Sequence, residues 1–301
     1  MRLLAYAAMA ASFWGGATIL PAAAQSIEVN EESVNRQLDL AGRQRMLAQR
    51  MAKQFCYARS GVEVMENVDE LRKAHDLFAR THRGLVHGDD EQGLFEEGDA
   101  SVVATWGDVD MIWAMADRTY ADMLSGEVVS PEDFGNTMKL SSELVSRAND
   151  LVSQIRTVYG EHMGDVGHGG ALLVDLYGRQ RMLSQKLSKE VCLAAYRHDV
   201  DATRAELDAT IKVFDNSINA FIDGLAIAGI PQAPTPEIEA QLRLARDIWV
   251  PVRPTAVSVA RGRATSLSEL GAFNREMDRF LVEMNKAVGM LASHQSAQPG
   301  A

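Results

Sequence analysis

The sequence Asp39-Leu40-Ala41-Gly42-Arg43-Gln44-Arg45-Met46-Leu47-Ala48-Gln49-Arg50 recurs 136 residues later as Asp175-Leu176-Tyr177-Gly178-Arg179-Gln180-Arg181-Met182-Leu183-Ser184-Gln185-Lys186. Between 38–59 and 174–195, 12 of 22 positions are identical without a gap. The same offset pairs Trp113 with Trp249. A fixed period over most of a chain indicates duplication, so the sequence predicts two modules of about 136 residues each.

The amino terminus has the pattern of an export signal. Arg2 precedes an apolar run that ends near Leu20, and small residues follow up to Ala24. Signal peptidase recognises this combination, so we expect cleavage after Ala24 and a periplasmic protein. The run is also close to the ~20 residues that a membrane span needs, which leaves an uncleaved anchor as the alternative. The glycines and the alanine triplet favour cleavage.

The charge balance argues against partners that need a basic surface. The chain has 30 Lys and Arg against 41 Asp and Glu, a formal net charge of −11. Nucleic acid and anionic membranes attract basic proteins, so neither is predicted as a partner, although a small anion fits a local basic pocket. The sequence contains no phosphate loop, nucleophile elbow or paired zinc ligands. We therefore predict no enzyme activity, no cofactor and no metal site.

Helical periodicity covers nearly all of the chain, and the alternation typical of strands is nearly absent. Short connections between helices favour up-and-down bundles. The predicted fold class is therefore all-α, with two tandem antiparallel four-helix-bundle modules after a cleaved signal peptide. The predicted helices are 28–59, 63–87, 99–125 and 131–159 in the first repeat, and 169–197, 200–226, 236–260 and 266–292 in the second.

Prolines and glycines suggest where helices begin and where modules join. Pro131 follows Ser130 and Pro236 follows Thr235, which is typical of a capped helix start. Pro251 and Pro254 are expected to kink or shorten their helix. The predicted segments are a signal peptide at 1–24, a first module at 25–160, a glycine-rich hinge at 161–170, a second module at 171–292 and a disordered tail at 293–301.

One side of the repeated helix is conserved between the two copies. At 100° per residue, Gly42, Arg45, Met46, Gln49, Lys53 and Cys56 share a side, and the second copy keeps all six as Gly178, Arg181, Met182, Gln185, Lys189 and Cys192. The opposite, apolar side has changed conservatively. A bundle core needs no Arg, Gln or Lys, so the polar side suggests a shared ligand or contact. The alternatives are a recent duplication and a solvated face with local pairs such as Asp39 with Arg43.

The repeated Gly-Arg-Gln-Arg-Met helix resembles the signature of the PilJ-type domain, the N-terminal domain of type IV pili methyl-accepting chemotaxis transducers. The resemblance is specific over 35–59 and 171–195 and weaker over the rest of each module. This family is related to the periplasmic domains of nitrate/nitrite sensor kinases. In those kinases, the corresponding helix of a four-helix bundle binds nitrate with one arginine from each of two subunits.

The resemblance implies a binding site and a sensory role. The implied ligand-binding residues are Gly42, Arg43, Arg45, Met46, Gln49, Gly178, Arg179, Arg181, Met182 and Gln185. Alignment leaves the two arginines of each motif as alternatives, while helical geometry favours Arg45 and Arg181, on the side of the glycine. A guanidinium suits planar oxyanions. The two motif helices are expected to face each other within one chain, or to pair with a second copy.

The predicted function is an exported sensory-accessory or binding protein that recognises a small oxyanion, such as nitrate, or another small polar ligand. Receptors of this family usually continue through a membrane span into a signalling region. No such segment follows here, so a sensory role is expected to need a membrane receptor as partner. The alternative is a non-catalytic scaffold whose repeated face docks a chemoreceptor, a sensor kinase, a pilus component or a second copy of the chain.

The two cysteines occupy the same position in each repeat. If the motif helices meet along the polar side, Cys56 and Cys192 come within the ~5.5–6 Å Cα separation of a disulfide. Closing a loop of this length would stabilise the fold by ~4–5 kcal/mol in the chain-entropy model. If the bundles lie end to end, the two thiols are instead buried separately.

Overall fold

The computed structural model describes residues 27–160, 164–196 and 198–296, and within them eight long helices carry the fold. The predicted all-α class is confirmed. The signal peptide predicted at 1–24 lies outside the described residues. The helices are α1 (Glu31–Arg59), α2 (Val64–His87), α3 (Ala100–Ser125), α4 (Pro131–Tyr159), α5 (Gly164–Ala195), α6 (Val200–Asp223), α7 (Pro236–Ala260) and α8 (Leu267–Ser296).

Side-chain caps fix several helix starts. The Ser130 hydroxyl accepts a hydrogen bond from the backbone N–H of Asp133, and the Thr235 hydroxyl accepts one from the backbone N–H of Ile238. In both helices, proline holds the first position, where its missing N–H costs nothing. These caps satisfy backbone donors that a helix leaves unpaired at its amino end. The helix starts expected at Pro131 and Pro236 are therefore confirmed.

A short hairpin follows α2, where the sequence predicted only a break. Strand β1 (Gly88–Asp89) pairs antiparallel with β2 (Leu94–Glu96) around a 3₁₀ turn. In the second repeat, an isolated bridge between Leu225 and Ile230 takes its place. Gly88 and Gly224 end their helices with φ values of +75° and +78°, a region that favours glycine. The repeats thus share this turn although its residues have diverged.

The two modules meet through their first helices. Helix α1 packs on α2, α4 and α5, and α5 packs on α1, α6 and α8. The two helices run side by side in the same direction, because Cys56 lies beside Cys192 and the pair Arg45–Asp175 lies several turns earlier. An approximate twofold axis between α1 and α5 therefore relates the modules, and the apolar core extends through both of them.

Three expectations about chain breaks need correction. Helix α5 already begins at Gly164, so most of the predicted hinge at 161–170 is helical, and 161–163 lie outside the described residues. Helix α7 continues through Pro251 and Pro254 to Ala260, so these prolines do not shorten it, and the kink stays a prediction. Helix α8 extends to Ser296 into the predicted tail, of which 297–301 are not described. Glycine and proline weaken a helix by a few kcal/mol at most, and tertiary packing outweighs such local preferences.

Candidate functional site

The polar side of the repeated helix lies inside the molecule, between α1 and α5. The Arg45 residue is 3% exposed and Arg181 is 5% exposed, and Gln49 and Gln185 are buried with them. The apolar side of α1, for example Leu47 and Phe55, packs into the core of its own module. Helix α1 is therefore buried on both sides along its second half, and the conserved polar side forms the contact between the modules.

Arg45 is held by three partners. Its guanidinium donates to the Asp175 carboxylate across the axis at 2.5 Å, to the Asn149 side-chain oxygen of α4 at 3.1 Å and to the Gly42 carbonyl at 3.1 Å. Arg179 on the same helix as Asp175 adds a second ion pair at 3.1 Å. We call this group, with Arg156 at 3.8 Å from the carboxylate, the Asp175 half-site.

The twofold axis repeats this arrangement with weaker bonding. Arg181 donates to the Asp39 carboxylate at 3.1 Å, and Arg43 pairs with the same carboxylate at 3.5 Å. We call Asp39, Arg43 and Arg181 the Asp39 half-site. The Nε of Arg181 is buried without a hydrogen-bond partner among the described residues. Asn285, the counterpart of Asn149, is exposed and makes no bond to Arg181 within the described chain. Arg181 is thus buried about as deeply as Arg45, but among the described residues its guanidinium has one hydrogen-bond partner, whereas that of Arg45 has three.

The interface carries an excess of positive charge. Five arginines contact two carboxylates: Arg43, Arg45, Arg156, Arg179 and Arg181 against Asp39 and Asp175. Burial alone would raise the pKa of Asp175, but its arginines outweigh burial and hold the pKa below the ordinary value. Burial lowers the pKa of Arg43, and Arg181 and Arg36 lower it further against the attraction of Asp39. A local cationic site therefore exists in a protein of net negative charge.

The motif glycines make room for the arginines of their own helix. A Cβ on Gly42 would lie 3.0 Å from the nearer guanidinium nitrogen of Arg45, and a Cβ on Gly178 would lie 3.1 Å from that of Arg181. Either contact is tighter than ordinary side-chain packing allows. Glycine therefore lets the guanidinium fold back over the preceding turn, where it can reach the partner helix.

The two glutamines lie one turn beyond the arginines. The side-chain oxygens of Gln49 and Gln185 are buried and have no hydrogen-bond partner among the described residues, while the Gln185 amide donates to Ser184 at 3.2 Å. Buried amide oxygens usually accept a bond. Together with the free Nε of Arg181, they give the interface both unpaired acceptors and an unpaired donor.

The structure separates the two arginines that alignment left as alternatives. Arg45 and Arg181 are interior, whereas the side chains of Arg43 and Arg179 are 28% and 53% exposed at the rim. Met46 is buried in the core, and Met182 is partly buried against it. Of the ten residues predicted to bind ligand, the arginines, glycines and glutamines thus come together at the interface, and the methionines serve packing.

Sequence reasoning missed the carboxylates of the site. The sequence paired Asp39 only with Arg43 on its own helix, whereas the structure also places it against Arg181 of the other module. Asp175 was likewise overlooked as the partner of Arg45. The signal was present, since an aspartate begins both copies of the motif. Asn149, the other side-chain partner of Arg45, had a weaker signal in the sequence: the residue 136 positions later, Asn285, is also an asparagine.

A disulfide links the two motif helices at their carboxyl ends. Cys56 and Cys192 are bonded, with their Cα atoms 6.2 Å apart, and both residues are buried. This bond requires the side-by-side arrangement and rules out bundles placed end to end. The polar sides of α1 and α5 thus face each other within one chain.

The profile of the family described as "PilJ: Type IV pili methyl-accepting chemotaxis transducer N-term" matches residues 30–128 and 167–273. The chain belongs to this family. Both repeats are matched, so the two modules are tandem PilJ-type domains, a sensory class of domain rather than a catalytic one. No curated protein matches the chain. Within the described residues, no helix combines the length and apolar character needed to cross a membrane.

Proposed function

We propose that this protein is an exported, periplasmic sensory-accessory protein that binds a small oxyanion, nitrate-like in shape and charge, between its two PilJ-type modules. The ligand-binding residues are Arg181 and Arg43 of the Asp39 half-site, with Gln49 and Gln185 beside them. Because the chain provides both motif helices, it completes the site without a second copy.

The bonding of Arg181 carries the proposal. A guanidinium offers five N–H donors, and this one is buried with a single carboxylate as its side-chain partner. Burying an arginine without satisfying its donors is costly, so a site that keeps one favours an anion that completes the set. Arg43 pairs with the other oxygen of the Asp39 carboxylate and adds a second positive charge. The net charge of the five arginines and two aspartates favours an anion over a cation.

The two half-sites differ in a way that favours one ligand for each chain. Asn149 and the Gly42 carbonyl complete the bonding of Arg45, and Arg179 further neutralises Asp175. In the Asp39 half-site, Arg43 takes the place of Arg179, but among the described residues Arg181 bonds neither an asparagine nor the Gly178 carbonyl. An incoming oxyanion therefore competes there with one carboxylate rather than with a saturated network.

A docking role for the repeated face receives less support. Arg45, Arg181 and their glutamines are buried between α1 and α5, so another protein cannot reach them while the modules stay together. A receptor or pilus component would have to bind a different surface. In the proposed mechanism, the ligand changes the fit between the two modules, and a partner protein reads that change.

Thermal unfolding against a ligand panel tests the proposal. The purified protein is heated with nitrate, nitrite and other small oxyanions, with chloride at matched ionic strength as the reference. Ligand at 100 times its dissociation constant adds ~2.7 kcal/mol to the stability of the folded state, which raises the midpoint by several degrees. The shift should disappear in Arg181→Gln and persist in Arg279→Gln, which alters an exposed arginine paired only within its own helix.

Two results would contradict the proposal. The first is the absence of any shift, relative to chloride, across the panel. The second is a shift of unchanged size in Arg181→Gln, which would place the ligand elsewhere. Calorimetric titration of the responding anion then gives the stoichiometry, for which we expect one site for each chain.

A further inference from the structure

His82 is buried between two aromatic rings at the place where α2 meets α3. The residue is 3% exposed. Its ring stacks on Trp106 of α3, with 4.6 Å between the ring centroids and 12° between the planes, and on Phe78 of α2, at 5.7 Å and 22°. The Trp106 indole N–H also donates to the backbone carbonyl of His82 at 2.7 Å. His82 is thus a central contact between the two helices.

The hydrogen bonds of His82 determine which ring nitrogen carries its proton. Nε2 lies 3.1 Å from the carboxylate of Asp110 on α3, and a carboxylate can only accept, so Nε2 donates. In the neutral ring Nδ1 is then an acceptor, and it is buried without a hydrogen-bond partner among the described residues. Protonation would add a second N–H at Nδ1, where the same residues offer no acceptor. The packing therefore suits the neutral ring.

The surroundings of His82 contain little that would stabilise its charged form. Burial is the main cause that lowers the pKa of His82, against the Asp110 carboxylate, which raises it. The Asp110 side chain is 49% exposed, so water screens its attraction. The other titratable neighbour is His87, which contacts the edge of the Trp106 ring at 6.2 Å. The face of Trp106 attracts an imidazolium, but it does not supply the acceptor that Nδ1–H would need.

A second histidine–aspartate pair lies two turns earlier on α2. His75 has a carboxylate at each ring nitrogen: Asp117 of α3 lies 2.6 Å from Nε2, and Asp76 of its own helix lies 3.1 Å from Nδ1. A protonated ring donates at both nitrogens, so acid leaves this pair intact. The two ends of the α2–α3 contact therefore respond differently to protonation.

The second module joins the equivalent helices, α6 and α7, without histidine. The residues at the repeat offset from His75 and His82 are Ile211 and Ile218, which are buried in the apolar core. In this module the Asp215 carboxylate accepts from the Trp249 indole at 2.7 Å and pairs with Arg253 at 2.8 Å. The chain thus contains a version of the same contact that does not titrate near neutral pH.

We infer that the α2–α3 contact of the first module is an acid-sensitive clamp: when the surrounding pH falls from neutral to about 5, protonation of His82 opens the carboxyl end of α2, while the second module stays closed. This end of α2 is bonded to the hairpin, because Thr81 donates to the Gln92 side chain at 2.7 Å. The Gln92 carbonyl accepts from Arg36 of α1 at 2.7 Å, so opening also acts on α1. The clamp requires neither Arg181 nor Arg43 of the proposed oxyanion site.

Amide hydrogen exchange at pH 7.5 and 5.0, with rates corrected for the intrinsic effect of pH, tests the inference. An exposed histidine with the ordinary pKa of ~6.5 is about 30 times more often protonated than neutral at pH 5.0, so an opened form gains by up to that factor. We expect protection to fall roughly tenfold in the second half of α2 and the first half of α3. In α6 and α7 it should change by less than about twofold.

Two substitutions remove the titrating ring. His82→Ile introduces the residue of the second repeat, and His82→Gln keeps a neutral donor for Asp110. In both variants the additional loss of protection at pH 5.0 should disappear. His87→Gln alters an exposed histidine on the same helix and should keep the wild-type response.

Three results would overturn the inference: equal protection of wild-type α2 and α3 at the two pH values, an equal loss in α6 and α7, or an unchanged loss in His82→Gln. Because glutamine preserves the bond to Asp110, this last test remains available if His82→Ile fails to fold.

Discussion

Arg45 and Asp175, 130 residues apart in sequence, form a buried ion pair at 2.5 Å across the axis between α1 and α5. The equivalent pair, Arg181 with Asp39, is longer and has fewer supporting bonds. Each module thus places its arginine on the aspartate of the other. Exchange of partners in this way joins the modules through their most similar segment and leaves Arg181 with fewer bonds than Arg45.

The two arginines should differ in their contribution to stability. Removing one partner of a buried ion pair typically costs ~3–5 kcal/mol because the other charge stays buried. We expect Arg45→Gln to reach that range and Arg181→Gln to cost clearly less, because Arg181 has one side-chain partner. Denaturant unfolding measures both. Arg147→Gln, which breaks an exposed pair within α4, should change stability by less than about 1 kcal/mol. An equal loss of unfolding free energy in Arg45→Gln and Arg181→Gln would contradict the difference in bonding between the two half-sites.

Replacing a motif glycine with alanine should not stabilise the protein, although this substitution usually stabilises a helix. Alanine in place of glycine inside a helix usually gains ~0.5–1 kcal/mol. Gly107→Ala in α3 should show this gain, since a Cβ there meets nothing within 4 Å. Gly42→Ala should not show this gain in stability, because the new methyl group displaces the Arg45 guanidinium. Thermal unfolding of the two variants provides the comparison, and a similar gain in both would show that Gly42 has no spacing role.

The disulfide should contribute strongly to stability. It closes a loop of 136 residues, for which the chain-entropy model gives ~4–5 kcal/mol. The double variant Cys56→Ala/Cys192→Ala should therefore unfold at much lower denaturant concentration. Removing both cysteines together avoids a free thiol. Reduction of the wild type should reproduce most of the loss, and an unchanged midpoint after both treatments would mean that the bond adds nothing to the packed interface.

Stability should rise with pH between about 8 and 10. The pKa of Lys53 and that of Lys189 are lowered to about 8, whereas lysine in an unfolded chain has a pKa near ~10.4. In this window, the unfolded chain binds more protons than the folded one, so the free energy of unfolding increases by up to ~1.4 kcal/mol per pH unit for each lysine. Above this window the gain ends, because the lysines of the unfolded chain lose their protons as well. Stability should then fall, because burial raises the pKa of Tyr57 and Tyr120 and these phenols ionise only on unfolding.

Comparison with Lys189→Met checks this assignment. That variant lacks one of the two titrating amines, so its stability should rise about half as steeply over the same pH range. Denaturant unfolding at several pH values, with a constant salt concentration, gives both slopes. Identical slopes for the variant and the wild type would show that Lys189 does not release its proton in the folded state.

Much of this protein follows from the sequence itself. The duplication, the eight helices and the capped starts at Pro131 and Pro236 depend on local patterns that each segment carries alone. Helical geometry likewise predicts that Arg45 lies on the same side of its helix as Gly42. These features were predicted because backbone periodicity and capping act over a few residues, whatever the rest of the chain does.

Only the tertiary structure decided what the repeated side faces and which groups meet there. A helical wheel assigns residues to sides of one helix, but the rotation and axial offset between α1 and α5 result from the packing of all the helices together. That packing puts Asp175 on Arg45 and Asp278 on Lys53, and extends α5 back to Gly164. The partners of a buried charge depend on angstrom-scale placement between distant segments, and no local pattern in the sequence encodes that placement.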